Sequence, residues 1–359
     1  MPVAVAVPPF EHARLLASAW ADGPPRHDLG GSGFSAPPWA ERGLPAPAWD
    51  AAGLDLHPGT ALRDRLARRA GLPSEGTLVT AGTTAANLAV IAALAAPGRN
   101  VVCERPGYAP LAHVAQAFGA EVRFVDRDPD GWRLDPDAVA AACDGATVLV
   151  ALTSPNNPTG VADRPADLVA LAEAAADHDA HVLVDQVFRE LTDHPVAATL
   201  HPALITTAGV NKCWGAPGIR IGWLHAPPDR MPDIVNAHQT LVLAPSRSGM
   251  AAVDVLLDHG SACRAALEAR LRATHAPYRA WCQEAGVAAG PGRGLTDFPA
   301  VPGEDTAELA RRALEDGLLL IPGEAFGRPG HVRIGLGGDP DRLRRALDAL
   351  RPRLAAKAM

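Results

Sequence analysis

The chain has 359 residues, 48 % of them hydrophobic and 20 % charged, with a formal net charge of −7. That balance excludes a disordered chain, and the length can bury a sizeable core, in one large domain or two modest ones, without disulfide or metal staples. The acidic balance argues against nucleic acid as the main partner, and no charge-free apolar run of about 18 residues reads as a membrane span.

The first ~45 residues are rich in Pro and Gly and read as an extended arm. A short helix is expected at 63–71, closed by Gly71. From Thr77 onward strands and helices alternate. Strands are expected at 77–79, 100–103, 121–125, 147–152, 181–185, 204–207 and 219–225. Helices are expected between them at 85–95, 108–119, 136–142 and 166–177. This alternation implies βαβ units and a mostly parallel sheet, with ligands at the carboxyl ends of the strands. After about residue 245 the character changes to long helices, an apolar run at 317–322, a strand at 331–336 and a terminal helix at 340–354. The expected division is an N-terminal arm, 1–45, that joins a smaller α+β domain, 245–359, with a large domain, 46–244, between them.

The five cysteines form no C-x-x-C pair and read as free thiols of a reducing compartment. Residues 1–10 lack a basic start and are cut by Pro2, Pro8 and Pro9, so they do not read as a signal peptide. A cytoplasmic protein is the expectation. No His/Cys cluster has zinc spacing, so no metal is expected. His178 and His181 read as solvent-facing.

The basic residues are more telling. Of 33, only Lys212 and Lys357 are lysines, and the other 31 are arginines. Arginine replaces lysine in most surface roles, but it cannot act as a primary amine that attacks a carbonyl. Lys357 sits near the C-terminus and reads as a solvated tail, so Lys212 is the residue to explain. It lies in TTAGVNKCWGAPGIRIGWL, with Arg220 eight residues on. A lysine desolvated beside another cation has a lowered pKa and can be a nucleophile. TSPNNPTG, at the end of strand 147–152, holds two of the chain's six asparagines, and Asn157 can offer an amide N–H to a ligand oxygen. Asp185 ends an apolar strand, where a carboxylate is costly without a cationic partner. In VTAGTTAANL a strand, a small-residue turn and a helix start make an anion site, to which Thr hydroxyls add donors.

Together these motifs resemble the fold-type I, pyridoxal-phosphate-dependent class I/II aminotransferases, from about His57 to the C-terminal helix. The resemblance implies a three-layer large domain with a mostly parallel sheet, a smaller α+β domain and pyridoxal 5′-phosphate as cofactor. Lys212 matches the Schiff-base lysine, Asp185 the partner of the pyridinium nitrogen, and Asn157 the donor to the cofactor's O3′. Arg220, Gly82, Thr83 and Thr84 match the phosphate grip. Tyr108, in RPGYAPL, matches the aromatic that stacks on the pyridine ring, and Arg333, in GHVRIGLG, the arginine that binds the substrate carboxylate. Gly33 of the arm, with Asn157, would line the substrate. The family is dimeric, with active sites shared between subunits, and His57 stands nearest to the residue that reaches the partner's phosphate.

The implied activity moves the amino group of an amino acid to a 2-oxo acid. Three departures leave a lyase, decarboxylase or cyclase of the same fold, in specialised metabolism, as the alternative. Phe188 stands where the family has a tyrosine, Gly209 where it has Ser or Thr, and His57 where it has a tyrosine.

Overall fold

The computed structural model describes residues 7–21, 23–47, 60–301, 303 and 305–355. The first element among the described residues is a helix, α1 (Glu11–Ala19), where the composition led us to expect extended chain. The segment EHARLLASA has neither Pro nor Gly and is built of good helix formers; the Pro/Gly-rich stretch starts after it. A two-residue strand, β1 (His27–Asp28), and the helix α2 (Thr60–Ala70) follow.

Seven strands build the main sheet: β2 (Thr77–Thr80), β3 (Asn100–Arg105), β4 (Glu121–Asp126), β5 (Thr147–Thr153), β6 (His181–Asp185), β7 (Leu204–Gly209) and β8 (Gly222–His225). Their order is β2-β8-β7-β6-β5-β3-β4. Every neighbouring pair is parallel except those of β8, which runs antiparallel to β2 and β7. The crossovers carry α3 (Thr83–Leu94), α4 (Pro110–Ala117), α5 (Pro136–Ala142) and α6 (Pro165–Ala176). The expected elements stand within a few residues of these bounds. α3 starts at Thr83 rather than Ala85, which puts the Gly-Thr-Thr turn at the helix's first residues.

The central strands are buried throughout, as a parallel sheet covered on both faces requires. Alternate residues face opposite layers. Leu149, Ala151 and Leu183 pack against Ala86, Ile91 and Leu111, whereas Val150, Leu152 and Val184 pack against Leu168 and Leu171. His181, expected at the surface, is buried because it opens β6 in register with Leu149.

The rest of the chain forms α7 (Met231–Leu241), α8 (Arg247–Asp258), α9 (Gly260–Ala285), β9 (Thr296–Asp297), α10 (Thr306–Glu315), β10 (Leu318–Leu319), β11 (Ile321–Pro322), β12 (Val332–Gly335) and α11 (Pro340–Ala355). β11, β12 and β9 make an antiparallel sheet, and β1 of the arm pairs in parallel with β10. Leu29 of the arm shares a core with Tyr278, Trp281, Leu318, Ile334 and Leu347. All five cysteines are buried and unpaired, and no helix among the described residues is long and apolar enough to cross a membrane.

Candidate active site

β5, β6 and β7 end side by side, so Thr153, Asp185 and Gly209 open onto one end of the sheet. There a cavity of about 190 Å³ is lined by Thr83, Thr84, Tyr108, Asn157, Asp185 and Lys212, with Phe10, His12 and Ser32 from the arm. Six of the residues that the resemblance places in the site thus meet in one place. A wider cavity shares Tyr108 but none of the other five.

Lys212 follows β7 by three residues, and its Nζ donates to Ser32 Oγ at 2.8 Å. Burial, then the charge of Arg333, pulls the amine down to about 8, against the opposing pull of Asp185. Gly33 lies beside this lysine, and the N–H of Phe34 donates to the Lys212 carbonyl at 3.0 Å.

Asp185 is only 4 % exposed. Its Oδ2 accepts from Asn87 Nδ2 at 2.8 Å and its Oδ1 from the Val187 N–H at 3.0 Å. Asn87 is held in turn by the Thr207 hydroxyl, at 2.6 Å from its Oδ1. Burial pushes the Asp185 carboxyl upward, and these donors and the Lys212 charge only partly oppose it. Such a carboxylate is suited to a protonated ring nitrogen.

Asn157 and Arg333 meet behind the cavity: Arg333 Nη1 donates to Asn157 Oδ1 at 3.1 Å. The guanidinium can only donate, so Oδ1 is the acceptor and the Asn157 Nδ2 remains for a ligand. Arg333 is fully buried, over the ring of Phe326, and has no carboxylate in an ion pair with it among the described residues. Its Nη2 reaches His12 Nε2 at 2.9 Å and the Gly30 carbonyl at 2.5 Å, while its Nε has no partner among the described residues. Burial pulls the guanidinium down to about 9. His12 must accept through Nε2. Burial and the charges of Arg333 and Lys212 drive its imidazole down to about 2, so it is neutral.

The turn between β2 and α3 forms the anion end. Gly82 has φ +92°, and a Cβ there would lie 3.2 Å from Arg220 Nη2, so glycine lets the guanidinium approach the helix N-terminus. The buried Thr83 Oγ1 has no hydrogen-bond partner among the described residues. Thr84 is exposed and lines the cavity with Tyr108. The departure at Gly209 has a steric cause. A Cβ at 209 would stand 2.5 Å from Thr83 Oγ1 and 3.1 Å from the Ile221 carbonyl, so the Thr83 hydroxyl occupies the space a serine would need. Phe188 is buried and lines the cavity, with no hydroxyl to offer it.

This set of donors fits pyridoxal 5′-phosphate. The orphaned Thr83 hydroxyl, the helix end and Arg220 suit its phosphate, buried Asp185 suits its ring nitrogen, and Lys212 is an amine with a lowered pKa. His57 and Lys357 lie outside the described residues. Sequence reasoning missed His12, Ser32, Asn87 and Thr207. Asn87 had a signal, a lone amide in an Ala-rich helix; His12 had none, because only the fold brings α1 to Arg333.

The sequence profile described as aminotransferase class I and II matches residues 52–350. A capreomycidine synthase of Streptomyces vinaceus is 31 % identical over 72 % of this chain and 69 % of its own. A histidinol-phosphate aminotransferase of Symbiobacterium thermophilum is 30 % identical over 82 % of this chain and 81 % of its own. The crystal structure of a PLP-dependent aminotransferase from Streptococcus suis superposes with a TM-score of 0.88 at 23 % identity, covering 98 % of both chains.

Proposed function

The chain belongs to the aminotransferase class I and II family and is a pyridoxal-phosphate-dependent aminotransferase, and from that premise we propose which of its residues do the work. When bound, the cofactor supplies an aldehyde that amines attach to and a ring that takes up charge from the substrate Cα. Gly82, Thr83, Thr84 and Arg220 hold its phosphate. Asp185 keeps a proton on its ring nitrogen, Asn157 Nδ2 donates to its O3′, and Tyr108 covers its ring. Arg333 clamps the substrate α-carboxylate and orients the Cα–H bond, with Asn157 and Gly33 beside the substrate. Lys212 is the covalent anchor and, once freed, the base that takes the Cα proton; an amine near pKa 8 has enough of its neutral form for that at neutral pH.

The observation that carries this reading is Lys212, Asp185 and Asn157 around one cavity, with Asn157 bonded to a buried arginine that has no carboxylate in an ion pair with it among the described residues. The substrates we propose are an amino acid and a 2-oxo acid. Each copy of a homodimer would lend His57 to the other's site. The unpaired buried thiols suit a reducing compartment, and we place the protein in the cytoplasm.

The test is to incubate the holoenzyme with panels of amino acids and 2-oxo acids and to quantify both products. Transamination yields one new 2-oxo acid per new amino acid. Release of carbon dioxide, ammonia or a cyclised product in their place would refute the assignment in favour of a decarboxylase, lyase or cyclase. Borohydride reduction followed by peptide mass spectrometry should place the adduct on Lys212; an adduct on Lys357 would overturn the role given to Lys212.

A further inference from the structure

Thr153 ends β5, four residues before Asn157. Its hydroxyl lies 2.8 Å from Glu104 Oε1 and 3.0 Å from the Asn157 backbone N–H, and the Asn156 side-chain amide approaches it at 3.4 Å. Glu104 Oε1 also accepts the Thr153 N–H at 2.8 Å. The other oxygen, Oε2, accepts from Arg127 Nε at 2.6 Å. Arg127 grips Asp163 with two further bonds, at 2.8 and 2.9 Å, and donates to the Trp132 carbonyl at 2.8 Å. Glu104, Arg127 and Asp163 are 4 %, 1 % and 2 % exposed, so the cluster is sealed from water.

The chemistry of the partners sets the direction of every bond. Both oxygens of Glu104 face only donors, which an ionised carboxylate satisfies and a carboxamide does not. The Thr153 hydroxyl must therefore spend its single proton on Glu104. Only its lone pairs remain, and these take the Asn157 N–H. The cluster holds two acids and one base, and the charge on Glu104 polarises the hydroxyl and strengthens it as an acceptor. Buried charges of this kind are a poor way to gain stability. What this cluster does here is lock one rotamer of one hydroxyl directly under the Asn157 turn. With Asn157 Oδ1 already taken by Arg333, the aim of Nδ2 depends on where the backbone of residue 157 is held.

We propose that Thr153 is a positioning residue: anchored by the buried Glu104–Arg127–Asp163 cluster, its hydroxyl holds the Asn157 backbone N–H and so aims the Asn157 amide at the cofactor. This rests on the reading that Asn157 donates to O3′. The cluster therefore acts through two intermediaries, Thr153 and Asn157, which line the cavity, while Glu104, Arg127 and Asp163 do not.

The test is a spectrophotometric pH titration of the holoenzyme's visible band in wild type, Asn157→Ala, Thr153→Val and Thr153→Ser. A donor to O3′ favours its anion and lowers the pH at which the band bleaches. Asn157→Ala should therefore raise the midpoint, by about one unit. Thr153→Val, nearly isosteric but without the hydroxyl, should raise it at least half as far, and Thr153→Ser should titrate like wild type. If Asn157→Ala shifts the midpoint and Thr153→Val does not, the proposal fails and the Asn157 reading stands. Equal shifts in Thr153→Val and Thr153→Ser also overturn it, because the hydroxyl would then be irrelevant. No shift in Asn157→Ala overturns the underlying reading. If Thr153→Val does not fold, Thr153→Ala removes the same hydroxyl and is scored in the same way.

Discussion

Replacing Arg333 with lysine keeps a cation in the same place and removes the planar guanidinium with its spread of donors. The guanidinium has five N–H groups. Three are engaged, one by Asn157 and two by His12 and Gly30, which leaves the Nε–H and one N–H on Nη1. These two donors lie on different edges of the planar group, so each can meet a carboxylate oxygen singly. A lysine ammonium has three N–H groups and one nitrogen. If it satisfied the same three protein partners, none would remain for substrate. A charge-assisted hydrogen bond contributes about 1.5–3 kcal/mol, and part of the charge attraction survives in the lysine. The expected loss in kcat/KM for α-amino acids is therefore about 2–3 kcal/mol, or ~30- to ~150-fold. The assay is single-turnover kinetics of holo Arg333→Lys, followed by the change in cofactor absorbance. It is run with an α-amino acid and with the matching primary amine that lacks the carboxylate. The amine should react within about threefold of its wild-type rate, a spread of ~0.7 kcal/mol. If both compounds lose equally, Arg333 only supports the fold and the clamp argument is wrong.

Phe188→Tyr should lower the pH at which the visible band bleaches, because it restores a second donor to O3′, and a shift of one unit corresponds to about 1.4 kcal/mol; an unchanged titration would mean that residue 188 does not face O3′. In the cofactor-free protein, burial raises Asp185 above its ordinary 3.8. The native state then binds more protons than the unfolded chain between those two pKa values, and stability falls as pH rises through that window. Urea unfolding from pH 4 to 7 should show this fall in wild type and a flatter profile in Asp185→Asn; identical slopes would argue against it. Cofactor-free stability should also rise above pH 8, because the Lys212 pKa is lowered from 10.5 to about 8; Lys212→Met should remove that rise. Sedimentation at micromolar concentration should give a dimer, and a fully active monomer would rule out shared sites.

Much of the site was legible because it depends on local patterns and on residue scarcity. One interior lysine among 31 arginines stands out whatever the fold. A carboxylate that ends an apolar strand, an Asn-Pro-Thr-Gly turn and a Gly-Thr-Thr helix start each state their chemistry within a few residues. The strands were equally legible, since a sheet buried on both faces is written as continuous apolar runs separated by turn residues. The alternation of Val150 and Leu152 against Leu149 and Ala151 follows from the two-residue period of a strand, whereas the register between strands is set only when they pair.

Other features exist only once distant segments are packed together. The helix α1 was hidden by the Pro/Gly richness of the residues that follow it, and nothing local tells His12 that it will accept from Arg333. Asn87 and Thr207 support Asp185 from a helix and a neighbouring strand. Gly209 reads in the sequence as a lost phosphate ligand, yet in the fold it is the space that the Thr83 hydroxyl takes up. By itself, the sequence determined the chemical types present, their order and the elements that carry them, because those are properties of short windows. Which donor meets which acceptor, which charges are sealed from water and which side chain excludes another were decided by tertiary structure, because each of these depends on a distance between residues far apart in the chain.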